Sequence, residues 1–293
     1  MISSSAKEKI NTLADRYREL AQKNPSGISA ILETELPEMV YNSNAIENST
    51  LTLEDTEDIL IRNQIKTDHE IREIYEAKNL AKVIQYLADN PNEKFSVNLI
   101  LKLHKMLLTD INDRVAGRFR FGNEWVRVGT HIGANPAFVN ELMHDLVKQY
   151  NSDKKGYFLD KIATFHAELE NIHPFCDGNG RIGRVLINYQ LSMEGLPPII
   201  IPNKTKFHDY YPLLDHYEKT QNADEMSACF AELLIEALHR RIAKLTAKTI
   251  IPLSEWAKKS SISAQAATNR AKRGTLPAFR ERDHWMIDAD YQD

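Results

Sequence analysis

The chain has 293 residues, is 42% hydrophobic and carries a formal net charge of −4 at pH 7. That length suits one large domain, or one with a small appendage, and the charge gives no overall pull toward nucleic acid or an anionic membrane. The two cysteines, Cys176 and Cys229, lie far apart in no CxxC spacing, as expected of a reducing compartment rather than a disulfide scaffold. The opening MISSSAKEKINTLADRY holds no apolar run of the signal-peptide kind, and no apolar stretch is long enough to cross a bilayer. The expectation is a cytoplasmic protein that does not engage membranes.

Helical spacing dominates the text. Apolar residues recur at intervals of three and four over roughly 6–22, 53–65, 68–89, 97–109, 138–150, 158–171, 181–194, 207–219 and 224–246. In 68–89 the stripe is Ile71, Ile74, Ala77, Ala81, Ile84 and Leu87, with Asp68 as the expected N-cap and Pro91 just beyond the end. Alternation of Val126 and Val128, punctuated by Gly129 and Gly133, predicts a hairpin over 124–133. GLPPIIIP (195–202) reads as a short buried strand or an extended connector. The fold class is therefore mostly α with one small β-hairpin over 1–246. From 247 the text changes to two short helices, about 253–259 and 263–272, followed by a hairpin. That order outlines a small winged helix-turn-helix domain over 247–293, similar to excisionase-like DNA-binding domains.

The chemistry concentrates in HPFCDGNGRIGR, residues 173–184. An amphipathic helix (Ile162, Phe165, Leu169, Ile172) stops at His173-Pro174, because a residue before proline is pushed out of helical geometry. The loop CDGNG follows, and then a helix whose stripe is Ile182, Val185, Leu186, Tyr189 and Met193. Its first turn carries Arg181 and Arg184. A helix N-terminus is already partly positive, so two arginines there call for an anionic companion, and the exposed N–H groups supply further donors to phosphate. Asp177 beside the loop suits Mg²⁺, which takes one carboxylate together with phosphate oxygens and water. His173, with an ordinary pKa of roughly 6.5, suits proton removal from an attacking alcohol. Singly, a histidine at a helix end is usually structural and Asp-Gly is usually a turn. Base, carboxylate, glycines and two arginines within one short segment are hard to explain that way together.

Gly178-Asn-Gly180-Arg-Ile-Gly183 also satisfies GxGxxG. A dinucleotide fingerprint requires a preceding strand and an acidic residue about twenty positions on; here a helix precedes and IIIPNK follows. No HRD or DFG segment accompanies it as in a kinase. The match is accidental.

HPFCDGNGRIGR resembles the signature HPFx[D/E]GNGRxxR of the Fic family, and LILKLHKMLL, GRFR (117–120), the 124–133 hairpin and Tyr210-Tyr211 extend the likeness over roughly 40–240. The resemblance implies transfer of AMP from ATP to a hydroxyl of a target protein. His173 would act as base, Asp177 would hold Mg²⁺, and Gly178, Asn179 and Gly180 would form the anion cradle by amides and side chain. Arg181 and Arg184 would take the phosphate chain, Phe175 would anchor the loop, and Tyr211 would lie near the adenine. The hairpin would be a flap that pairs with the target segment as an added strand. Both glycines are intact, unlike in kinase-like relatives; relatives that move phosphocholine or remove AMP keep those reactions open.

SNAIEN (43–48) alone marks only one face of a helical turn. In Fic proteins with [S/T]xxxE[G/N] the segment is an inhibitory helix, here near 42–49, whose glutamate pairs with the second motif arginine. The resemblance thus implies that Ser43 and Glu47 restrain the reaction through Arg184. His166 and Cys176 are expected to be supporting and packing residues. A rival reading is a DNA-binding regulator with the Fic core as a sensor, since Lys248, Lys258, Lys259, Arg270, Lys272, Arg273, Arg280 and Arg282 outnumber the acidic residues of 250–293. A protein partner for that segment, and a homo-oligomer, also stay open.

Overall fold

The computed structural model describes residues 2–66 and 68–292. Twelve α-helices are found among them: α1 (Ser4–Lys23), α2 (Pro25–Ile46), α3 (Leu53–Glu57), α4 (Ile71–Asp89), α5 (Val97–Leu108), α6 (Val139–Ser152), α7 (Phe158–Ile172), α8 (Asn179–Met193), α9 (Tyr211–Thr220), α10 (Asp224–Thr246), α11 (Leu253–Lys259) and α12 (Ala264–Lys272). Strands are few: β1 (Arg127–Val128), β2 (His131–Ile132), β3 (Ile250–Pro252), β4 (Phe279–Glu281) and β5 (His284–Asp288). The mostly α class with a small hairpin holds. Among the described residues no helix is long and apolar enough to cross a membrane.

Most boundaries follow the apolar spacing, and the departures have local causes. Helix α2 is missing from the periodicity because Pro25, Gly27 and Pro37 read as breakers. Yet Pro25 opens the helix, where a missing N–H costs nothing, and Pro37 is accommodated within it. Asp68 is not a cap: α4 begins at Ile71 after Glu70, which makes no side-chain capping bond. The predicted 53–65 helix is a short α3, capped reciprocally by Thr52 and Asp55, running into a π-helical turn over Asp58–Arg62. Another π-helical turn, Lys206–Tyr210, precedes α9. Residues 195–202 form no strand. The hairpin pairs only Arg127 with Ile132 and Val128 with His131, so most of 124–133 is loop.

Contacts divide the chain into two units, 36–194 with 200–227, and 2–35 with 195–199 and 228–293. In the first, α5 and α8 bury Ile100, Leu103, Leu107, Ile182, Val185, Leu186 and Tyr189 in one core with Phe95 and Phe165. Each such aliphatic side chain is worth about 1.5–3 kcal/mol on burial. Met193, expected in the α8 stripe, is 46% exposed because the helix ends there.

The second unit does not break at 246/247. Arg280 of β4 pairs with Glu236 of α10 at 2.7 Å, and Lys244 of α10 pairs with Glu281 at 2.8 Å. These pairs tie the C-terminal strands to the helix before them. Its two short helices and hairpin come in the predicted order. Strand β3, not foreseen, pairs Ile251 with Ile287 of β5 and completes an antiparallel sheet of order β3-β5-β4. Trp256, Ala257, Ala267, Ala271 and Ile287 form a small core there.

Candidate active site

The site grows out of the corner between α7 and α8. Helix α7 stops as predicted, but His173 is left-handed (φ 52°, ψ 62°) rather than extended, and its N–H still bonds to the Leu169 carbonyl at 2.9 Å. This turn exposes the Ile172 and His173 carbonyls to Arg120, whose guanidinium donates to them at 2.9 and 2.7 Å. Arg120 is 1% exposed and also donates to the Ala134 carbonyl, so one buried cation fixes the corner and the hairpin root together. Gly133 sits so close that an added Cβ would lie 3.0 Å from the Cβ of His173.

The loop is closed from inside. Phe175 is fully buried and stacks on His104 at 3.7 Å. His104 Nδ1 accepts the Gly117 N–H at 3.0 Å, so its Nε2 carries the proton and donates to the Asp177 carbonyl at 2.9 Å. Burial lowers its pKa to about 4, so this neutral form is the stable one. Asn179 turns its side chain back onto Phe175, accepting from the N–H and donating to the carbonyl, both at 2.8 Å. The expectation that this side chain lines the anion cradle is therefore corrected: it shapes the loop, and its backbone N–H stays with the donors at the α8 N-terminus. Gly178 is left-handed at φ 82°, a conformation that asks for glycine.

Where the sequence reading expects phosphate beside the two arginines, this structure sets carboxylates of the chain itself. Arg181 pairs with Asp177 at 2.9 Å and Glu76 at 3.1 Å. Arg184 pairs with Glu47 at 2.8 Å and donates to the Ser43 hydroxyl and carbonyl at 3.0 and 2.8 Å. Burial pushes the Glu47 carboxyl upward, but the Arg184 guanidinium outweighs it and holds the pKa below the ordinary range. The Glu47 side chain is 42% exposed, and Arg181 and His173 add to the lowering by Arg184. Glu47 also covers Gly180: a Cβ there would collide with its Oε1. The helix predicted near 42–49 in fact ends at Ile46, and Glu47 stands in the following turn with Asn48 left-handed at φ 69°.

His173 Nδ1 faces the Glu170 carbonyl at 3.3 Å, and its ring is 16% exposed. With Nδ1 as donor, Nε2 is the basic nitrogen. Burial above all, reinforced by His131 and Arg120, lowers its pKa to about 4 against the opposing Glu170 bond and Glu47 charge. Glu170 is buried beneath and pushed up to about 8, chiefly by burial. His166 bonds to the Tyr210 hydroxyl at 2.7 Å, the supporting place expected of it. Burial and Glu124 raise the Cys176 thiol, which is no activated nucleophile.

Asp177 has its oxygens on Arg181 and on Arg72 at 2.6 Å. Among the described residues no group of three His, Cys, Asp or Glu could hold a metal ion. A part-exposed single carboxylate at an anion loop nevertheless fits Mg²⁺ brought with phosphates, with the half-exposed Arg72 able to yield. Tyr211 donates to the Ile46 carbonyl at 2.8 Å, which places it against the end of α2. The hairpin is tied to the end of α7 by His131, whose Nε2 lies 2.9 Å from the Asn171 carbonyl. Phe121, Trp125, Val128, Ile132 and Phe138, in and near this part of the chain, are exposed. Sequence reasoning passed over His104 and Arg120 as functional groups, although a histidine on the apolar face of 97–109 and an arginine in GRFR were both visible.

This architecture, a helical bundle built round a glycine loop at a helix N-terminus, defines a class. Residues 94–191 match the Fic/DOC family, and the chain carries a Fic/DOC-family domain. A protein adenylyltransferase, fic-1, from Caenorhabditis elegans is 33% identical over 182 residues, covering 60% of this chain and 35% of its own length. A Fic-domain-containing signaling protein from Bacteroides thetaiotaomicron superposes with a TM-score of 0.71 at 23% identity, over 81% of this chain and 96% of that one. Fic-1 from C. elegans gives 0.67 at 25% identity, over 80% of this chain and 71% of that one. The chain spans less than half the length of the curated adenylyltransferases it matches, 35% to 49%.

Proposed function

We propose that the protein is an adenylyltransferase that moves AMP from ATP to a hydroxyl side chain of a target protein and is restrained by its own Glu47. The observation that carries this is one loop with His173 before it and a ring of helix N–H groups and Arg184 after it. The hydroxyl oxygen attacks the α-phosphorus, the bond to the β-phosphate oxygen breaks, pyrophosphate leaves, and Nε2 of His173 accepts the hydroxyl proton. The α8 amides and Arg184 hold phosphate oxygens, so catalysis is mainly positioning and charge stabilisation. Asp177 would hold Mg²⁺, which supplies charge neutralisation on the phosphates. Tyr211 would border the adenine, and the apolar surround of the hairpin would receive the target segment. Glu47 on Arg184 occupies the guanidinium that the phosphate chain needs. Label from the α-phosphate of ATP should appear on protein, and label from the γ-phosphate should not; γ-label on protein would make it a kinase-like relative instead.

A second proposal concerns 250–293. The run 260–280 holds no acidic residue, and α12 exposes Gln265, Asn269 and Lys272, followed by exposed Arg273. That surface suits duplex DNA, with the second helix of a winged helix-turn-helix in the major groove. Retention on duplex DNA should fall steeply as salt is raised. Absence of retention at low salt leaves a protein partner as the occupant.

A further inference from the structure

The turn that carries Glu47 is held by a group other than Arg184. The last carbonyls of α2 lack intrahelical partners and carry the negative end of the helix dipole, yet the last turn of α2 has no basic residue. The cation arrives from the turn before α9. Lys206 Nζ donates to the carbonyls of Ala45 and Ile46 and to Oδ1 of Asn48, each at 2.9 Å. Those acceptors lie on both sides of Glu47. The three ammonium protons are thereby all engaged, and Lys206 is 7% exposed. The same segment reinforces the grip: the Tyr211 hydroxyl donates to the Ile46 carbonyl at 2.8 Å, and the Asn203 N–H donates to Asn42 Oδ1 at 3.0 Å.

We propose that Lys206 is a positioning residue for Glu47, and that Lys206 with Tyr211 forms a clasp that sets how firmly the restraint is held. The inference rests on the reading that Glu47 restrains transfer. It runs against the obvious use of a lysine beside a nucleotide site, which would be to bind phosphate. A lysine buried on three protein acceptors is not available for that. The two roles predict opposite signs: loss of a phosphate ligand lowers transfer, whereas loss of a clasp raises it. The clasp also lies where the adenine is expected, so Tyr211 cannot serve both partners unchanged. Filling of the site and release of α2 would then be linked events.

The experiment uses the full chain with Lys206→Met, which keeps the stem and removes the charge and all three donors. Amide exchange at Glu47, Asn48 and Ser49, whose N–H groups bond to carbonyls of the last turn of α2, should quicken by about tenfold or more. Amides of α5 should keep their protection, which certifies the fold. Self-labelling from α-labelled ATP should rise by about fivefold, and Lys206→Met should add nothing in a Glu47→Gly background. Unchanged exchange at 47–49, or a fall in labelling, overturns the proposal. If Glu47→Gly itself gives no gain, the restraint reading fails, and the exchange measurement alone decides the clasp. Should α5 lose protection, Tyr211→Phe replaces the first variant; it keeps the ring, removes one bond to Ile46, and must shift exchange in the same direction.

Discussion

Glu47→Gly should raise self-labelling from α-labelled ATP by about tenfold or more, equivalent to about 1.4 kcal/mol of barrier. The reason is steric and electrostatic at once. Glu47 holds the Arg184 guanidinium at 2.8 Å and stands where any oxygen approaching Gly180 must go. A charge-assisted pair of this kind is directional, so under the proposed restraint phosphate would reach Arg184 only after Glu47 had left. Arg184→Ala in the same background should erase the gain, because the group being competed for is gone. Equal labelling by wild type and Glu47→Gly would end the restraint reading without touching the assignment of the base.

His173→Ala should abolish transfer, a loss of about 10²–10⁴-fold for a missing base, while ATP binding persists. Persistence is expected because the loop is shaped by groups other than the imidazole: Asn179 on Phe175, His104 on Asp177, Arg120 on the His173 carbonyl. The pH profile supplies a second readout. A pKa lowered to about 4 keeps His173 in its neutral, proton-accepting form throughout the mildly acidic range. In Glu47→Gly, kcat/KM for ATP should therefore stay level between about pH 7.5 and about pH 6, where an ordinary imidazole of pKa roughly 6.5 would lose about fourfold. Removing Glu47 takes away a charge that raises the His173 pKa, so the variant leans further the same way. Normal turnover by His173→Ala would remove this residue from the mechanism.

Most helices are legible as apolar spacing, because burial on one face leaves a mark every three or four residues. Helix α2 is not, since its prolines argue locally against what its surroundings enforce. The loop is legible as a motif, but the division of labour inside it is not. Asn179 looks like a donor to anions, and only the folded loop shows its amide matched to both backbone groups of Phe175. Arg181 and Arg184 do advertise a need for negative charge. That the chain answers with Glu76, Asp177 and Glu47, brought from as far as 137 positions away, follows from tertiary packing that no local pattern records. Lys206 is silent for the same reason: its acceptors are helix-end carbonyls, which every residue possesses.

The bare α-carbon of Gly180 has a consequence for how this chain can vary. The volume left by the absent side chain is where the Glu47 carboxylate rests, and it is the approach that a phosphate oxygen would use. A substitution that evicts the carboxylate by filling that volume would, on the proposed reading, evict a phosphate oxygen too. If Glu47 restrains transfer as proposed, selection for turnover would protect the receiving side of the contact, and lineages would shed the restraint from its delivering side, at the end of α2 and at Lys206. On that reading restraint would be loosened or lost on one side of the contact alone.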